Sequence, residues 1–171
     1  ELDLDKTFDC GQAFKWEKHP EGFWYGVANN RINVLKQVED TISTNVPIES
    51  KDWLINYLNL DMSYTAEMSK IDMTDDVYLA KAYEAGKGIH ILRQDLYEMI
   101  VTFIISQMNS MKNIRNCINK LSQNYGLPLK TKLDNGTELS EYTFPTASKI
   151  ASLQPIDLRS CSVGFRDSYI W

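Results

Sequence analysis

Apolar and polar positions alternate with the period of strands along the first part of the chain. Phe8, Cys10, Phe14 and Trp16 fall on one parity, with Asp9 and Lys15 on the other. The break His19-Pro20-Glu21-Gly22 precedes the aromatic run Phe23 to Val27. Asn29-Asn30 precedes Ile32, Val34 and Val38, and Glu39-Asp40 turns into Thr41 to Val46. Turns at intervals of about ten residues predict an antiparallel meander. Such a sheet needs cover, and helical spacing follows at once: Trp53, Leu54, Tyr57 and Leu58 behind a Ser50 cap, then Val77 to Ala85 ending at Gly86, with Val77, Ala80, Lys81 and Glu84 at helical intervals.

After Gly86-Lys87-Gly88 the pattern is helical only. Asp95 and Glu98 form a capping box that opens a helix with its apolar stripe on Leu96, Met99, Ile100, Phe103 and Ile104. The break Gln107 to Ser110 separates it from a second helix, striped by Met111, Ile114, Ile118, Leu121 and Tyr125 and stopped by Gly126 and Pro128. Lys112, Arg115 and Lys120 sit on its other side. Lys130 to Tyr142 reads as polar loop. Pro145 and Pro155 each start a short helix, and Gly164 precedes the first turn of another. The fold class is therefore α+β. Residues 1–86 make an N-terminal antiparallel sheet with covering helices, and residues 87–171 make the first helices of a second, all-α domain.

Composition narrows the function classes. With 171 residues, 43% of them hydrophobic, the chain can build one good core or two small ones sharing an interface. Eighteen Lys plus Arg against 23 Asp plus Glu give a net charge of −5, which argues against phosphate-backbone binding by bulk charge, so any such claim must rest on local motifs. Cys10, Cys117 and Cys161 are scattered and accompanied only by His19 and His90, a pattern that predicts free thiols and no metal site. Met99 to Ile105 is too short an apolar run to cross a membrane, and with no signal peptide the expectation is a soluble, intracellular chain. A start at Glu1 without methionine and an end on Tyr169-Ile170-Trp171 read as a fragment or a processed chain. Trp16, Trp24 and Trp53 read as core residues.

Two stretches carry candidate chemistry. Gly11, inside Asp9-Cys10-Gly11-Gln12-Ala13-Phe14-Lys15-Trp16, marks either a bulge or corner in a strand or a close approach by a ligand. Phe165, after Gly164 and before Arg166, is by residue type a core aromatic beside a surface charge. Three segments in order then change the odds. The strand Gly11-Gln12-Ala13-Phe14-Lys15-Trp16 resembles the N-terminal signature of 8-oxoguanine DNA glycosylases. Gly88 to Asp95, followed by Phe103 to Gln107, resembles that family's Leu-Arg-Gln-Asp helix start and the break before its asparagine-rich turn. Gly164-Phe165-Arg166-Asp167-Ser168-Tyr169 is similar to its glycine-aromatic-arginine wedge.

The resemblance covers Leu4 to Ile170 and implies roles. The Gly11 carbonyl would accept a hydrogen bond from N7–H, the proton that 8-oxoguanine has and guanine lacks. Met108, Asn109 and Ser110 would meet DNA at the asparagine turn, Phe165 would fill the gap left by a flipped base, and Arg166 would contact phosphate or base. Met108 stands where the family has the asparagine that contacts the cytosine left behind, and Asn113 where it often has a basic group. Both imply relaxed or different reading of the opposite base. The family's helix-hairpin-helix, lysine nucleophile and later aspartate have no counterpart here, so no catalytic residue is assigned, and Lys112 and Lys120 read as solvated surface. The implied parent is a base-excision repair glycosylase and lyase without cofactors or metal. It would bind double-stranded DNA containing 8-oxoguanine, as a monomer, with the second half of this chain being the truncated start of an all-α glycosylase domain. Two rivals stand beside it: an alkylated-base glycosylase of the same superfamily, disfavoured by Gly11, and a non-catalytic DNA- or protein-binding domain, favoured by the acidic charge.

Overall fold

Asp3 opens the chain with a helix. In the computed structural model, which describes residues 2–171, its carboxylate accepts from Lys6 N at 3.0 Å and caps α1, Leu4–Asp9. Leu4, Thr7 and Phe8 are the buried face of that helix. The alternation from Phe8 to Trp16 is thus not a strand: Phe8 is helical, residues 10–15 form bends, and pairing begins only at Trp16. The cap and the i, i+3, i+4 spacing of Leu4, Thr7 and Phe8 outweigh a chance parity in the residues that follow.

The meander itself is present. Strands β1 (Trp16–Lys18), β2 (Trp24–Ala28), β3 (Arg31–Val38) and β4 (Thr41–Thr44) pair antiparallel in sequence order. Asn29 and Asn30, both at positive φ, form the two-residue link between the paired Ala28 and Arg31, the conformation that matches the twist of a tight hairpin. One face of the sheet buries Trp16, Trp24 and Leu35 against Phe8 of α1 and against Leu54, Tyr57 and Leu58 of helix α2 (Lys51–Tyr57) and its end. Phe8 and Trp16 stack with ring centroids 4.2 Å apart. Ser50 occupies the N-cap of α2, but its side chain makes no capping hydrogen bond; a 3-10 turn, Ile48–Ser50, leads into the helix instead. Helices α3 (Tyr64–Met68) and α4 (Val77–Gly86) follow, the latter capped by Asp76 and burying none of its residues.

In the second half, α5 (Leu96–Ser106) packs on α6 (Met111–Tyr125). Asp95 caps α5 by accepting from Glu98 N at 2.9 Å. The buried face of α5 is Val101, Thr102 and Ile105, whereas Leu96, Ile100 and Phe103 are exposed. The expected stripe is therefore largely the outward side. This helix is apolar almost all round, so periodicity alone could not choose its inner face. Helix α6 follows its pattern in the middle, burying Ile114, Ile118 and Leu121 together with Cys117, whereas the ends of the expected stripe do not: Met111 is exposed and Tyr125 half-buried.

The expectation of helices only after residue 86 fails at one place. Strands β5 (Pro128–Lys132) and β6 (Glu138–Tyr142) form a hairpin where a polar loop was expected. Leu139 lies in one core with Phe23, Val27 and Ile32, and Leu129 and Leu133 pack against it, so the hairpin covers the second face of the N-terminal sheet. Strands this polar, with one apolar position in two or three, become strands because a sheet face is available to dock on. Helices α7 (Ala147–Ala151) and α8 (Pro155–Arg159), a 3-10 turn Gly164–Arg166 and α9 (Asp167–Ile170) complete the chain. The halves are stitched together, with Phe14 in the helical core and Leu92 in the sheet core.

Candidate nucleic-acid interface

Gly11 sits at φ +91°, in the turn between α1 and β1, rather than inside a strand. Left-handed backbone of this kind favours glycine. A Cβ built there would lie 2.6 Å from Cε of Met111, the first residue of α6, so the two are in direct register across the junction of the halves. Gln12 beside it is held at both side-chain polar atoms and at its carbonyl. Its Nε2 donates to the carbonyls of Thr7 at 3.0 Å and His90 at 2.8 Å, its Oε1 accepts from Leu92 N at 2.9 Å, and its own carbonyl accepts from Nε2 of Gln94 at 2.8 Å. The segment that supplies these partners is fixed to α1 in turn, since Thr7 Oγ1 donates to Gly88 O and accepts from His90 N, both at 3.1 Å.

The break between α5 and α6 carries the second set of candidates. Met108 has φ +49° and is 96% exposed. Asn109 and Ser110 are committed to building the turn. Asn109 Nδ2 donates to Ile105 O at 2.9 Å, its Oδ1 accepts from Asn113 Nδ2 at 2.7 Å, and Ser110 Oγ caps α6 by accepting from Asn113 N. The polar pair therefore shapes the loop and leaves Met108 at its tip.

Phe165 and Arg166 come to the same place with different tasks. Phe165 is 61% exposed, with the Arg166 guanidinium 4.5 Å from its ring centroid. Arg166 is buried and its donors are taken by backbone. Nε and Nη2 donate to Gln107 O, Nη2 also reaches Met108 O at 3.3 Å, and Nη1 donates to Val163 O at 3.1 Å. Where the sequence suggested a phosphate or base contact, the planar fork of donors is here taken up by three backbone carbonyls, two in the 107–108 turn and one just before Gly164. The side chain thus ties the two turns together. Gly11 is thus brought to Met111, Met111 follows the turn at Met108, and Arg166 pins that turn beside Phe165.

Beneath this surface lies a polar junction that the sequence did not single out. Lys15 donates to Ser122 Oγ at 2.9 Å and Tyr142 O at 2.8 Å, near the carboxylates of Glu98 and Glu141. Burial pushes Lys15 down from its ordinary value and pushes Glu98 up to about 7, the latter opposed by Lys15 and reinforced by Asp95. A depressed lysine is a familiar mark of a nucleophile. Lys15, however, is spent on Ser122 and Tyr142 at the junction of the halves. Arg115, expected on the solvated side of α6, donates to Trp16 O at 2.8 Å. Trp16 and Trp24 are buried as expected, and Trp53 is half-buried beside Tyr57. Lys112 is exposed, and Lys120 donates to Ser162 Oγ at 2.8 Å. Among the described residues, no group of three or more His, Cys, Asp or Glu could hold a metal ion, and no helix is long and apolar enough to cross a membrane.

The family model for the 8-oxoguanine DNA glycosylase N-terminal domain matches residues 1–100. The chain belongs to the 8-oxoguanine DNA glycosylase family. It is similar to the N-glycosylase/DNA lyase of Saccharomyces cerevisiae, 31% identical over 99% of this chain and 48% of that protein, and to that of Arabidopsis thaliana, 27% identical over 99% and 47%. The chain therefore spans about half the length of the curated relatives it matches. Its structure is similar to the Clostridium acetobutylicum 8-oxoguanine glycosylase/lyase solved with double-stranded DNA containing cytosine opposite 8-oxoguanine. That pair shares 31% identity and a TM-score of 0.87, over 99% of this chain and 57% of the other. A 3-methyladenine DNA glycosylase from Archaeoglobus fulgidus shares the fold at 17% identity and a TM-score of 0.68. Architecture is thus common to glycosylases named for different lesions. Gln12 and Gln94 stood inside the matched motifs, and the signal that could have found them was their amides, each with donor and acceptor, flanking the one glycine of the turn.

Proposed function

We propose that this chain is the N-terminal part of an 8-oxoguanine DNA glycosylase and AP lyase, supplying lesion reading and duplex opening but not bond cleavage. The observation that carries the reading is the convergence of Gly11, the Met108 turn and Phe165 around residues 107–111, through Met111 and Arg166. In this reading double-stranded DNA containing 8-oxoguanine is the partner, and the protein acts as a monomer without metal or cofactor. The Gly11 carbonyl takes the N7–H of the extruded lesion, and Phe165 enters the stack that the lesion leaves. Met108 contacts the duplex at the same gap. Its thioether is only a weak acceptor, so reading of the opposite base is relaxed. Asn109, Ser110 and Arg166 take part by holding Met108 and Phe165 in place. Residues 1–86 act as the sheet domain, and residues 87–171 begin the helical glycosylase domain.

The lysine that attacks the sugar and the aspartate that assists it belong, in this proposal, to the half of the relatives' length that this chain does not span. Borohydride trapping on an 8-oxoguanine duplex tests the division of labour. The full-length enzyme should give a covalent adduct and the 171-residue chain none; an adduct with the chain alone would overturn it. The non-catalytic alternative keeps one observation in its favour, the net charge of −5 with Lys15, Arg115 and Arg166 all tied to protein acceptors. Lesion-independent binding by the full-length protein would support that rival.

A further inference from the structure

The Gly11 carbonyl is the atom asked to tell one proton from one lone pair, yet Gly11 cannot aim it. A residue without Cβ, at positive φ, holds its peptide plane less firmly than any other. The plane of the Gly11 carbonyl is shared with the nitrogen of Gln12, so its direction depends on how Gln12 is held. Gln12 is clamped at both ends: its side-chain amide bridges Thr7 O, His90 O and Leu92 N, and its carbonyl is capped by Gln94. Hydrogen bonds of the described residues engage the carbonyls of Thr7, Gln12 and His90, but not that of Gly11. The acceptor is left open while the side-chain amide and the carbonyl of the next residue are occupied.

We infer that Gln12 and Gln94 are positioning residues that set lesion specificity by fixing the direction of the Gly11 carbonyl. The inference rests on the role proposed above for Gly11. A hydrogen bond from N7–H weakens steeply as its angle opens, and the repulsion between a carbonyl oxygen and the bare N7 of guanine is relieved by the same motion. A carbonyl free to swing therefore loses on both sides: it gains less from the lesion and rejects guanine less. Rigid aim turns a single acceptor into a discriminator, because a specific preference is a difference of two affinities. Gln94 also immediately precedes Asp95, the cap of α5, so the reading turn is fixed to the helix that leads into the Met108 turn.

The test compares the full-length enzyme with its Gln94→Ala, Gln94→Met, Gln12→Glu and Gly11→Ala variants. The readout is the ratio of affinities for a non-cleavable 8-oxoguanine duplex and the matching guanine duplex, with melting temperature followed in parallel. Both Gln94 variants should lower the ratio by about tenfold, the order of one lost hydrogen bond, while guanine-duplex affinity does not fall. Gln12→Glu sets a carboxylate against two carbonyls, so its ratio should be low at about pH 8 and recover as the carboxyl takes up a proton toward about pH 5. Wild-type discrimination in both Gln94 variants, with discrimination lost in Gly11→Ala, would overturn the positioning role and leave the Gly11 reading intact. Wild-type discrimination in Gly11→Ala would overturn that reading and this inference with it. A lowered melting temperature with an unchanged ratio would reduce the glutamines to structural glue.

Discussion

Replacing Arg166 separates two tasks that a guanidinium can perform at this surface. In the first it ties the 107–108 turn to the Gly164–Arg166 turn; in the second it meets a phosphate. The structure favours the tie, since the side chain is 7% exposed and donates to Gln107 O, Met108 O and Val163 O. Hydrogen bonds from a charged donor contribute roughly 1.5–3 kcal/mol each and are not additive. Gln107 and Met108 are exposed, so water can replace the donor at those two carbonyls, whereas Val163 is fully buried and its carbonyl cannot be rescued as readily. Arg166→Ala should therefore cost on the order of 2–4 kcal/mol, visible as a fall of several degrees in melting temperature. Arg166→Lys should recover little of it, because a point charge on a flexible stem cannot serve three carbonyls at once. The second measurement is the salt dependence of DNA binding by the full-length enzyme. A lost phosphate contact would lower the log–log slope by about 0.9, and a lost tie would leave it unchanged. Unaltered melting together with a shallower slope, and full rescue by Lys, would refute the reasoning.

Three further outcomes are expected. Phe165→Ala should disfavour base extrusion by a few kcal/mol, the order of unstacking one step, with partial rescue when the lesion sits in a mismatch; a fluorescent-base flipping assay with single-turnover excision reads both, and wild-type rates on matched duplexes would return Phe165 to a structural role. Glu98, with its carboxyl raised from 4.5 to about 7 chiefly by burial, binds a proton more tightly folded than unfolded. Its contribution to stability is whole below about pH 4.5 and is lost as pH rises through about 7, so Glu98→Gln should flatten a decline on the order of 1–3 kcal/mol across that window in pH-dependent melting. Leu139→Ala, at a site 7% exposed between hairpin and sheet, should cost about 2–4 kcal/mol. Hydrogen exchange should then rise first in β5 and β6, and uniform loss of protection would show that the hairpin is not a separable cover.

Several elements were legible along the chain because their determinants are local. The Asn29-Asn30 hairpin follows from two residues tolerant of positive φ between alternating strands, and α6 follows from a single apolar stripe with Ser110 before it and Gly126 after it. The family, too, was legible, since its motifs are short runs in fixed order. What failed to show were features whose cause lies across the fold. Lys130 to Tyr142 carries too few apolar residues to announce strands, and becomes a hairpin only against Phe23, Val27 and Ile32. The inner face of α5 was undecidable from a helix apolar on nearly every side, and α6 chose it.

The same division runs through the candidate site. Residue types at Gly11, Met108 and Phe165 named the chemistry, because a glycine carbonyl, a thioether and an aromatic ring are properties of single residues. Their assembly was decided by partners more than fifty positions away: Gln12 by His90 and Leu92, and the Met108 turn by Arg166. Sequence fixes which groups are available. Only tertiary structure decides which are spent, and it spent Arg166 on backbone carbonyls because a buried guanidinium must satisfy its donors where it lies.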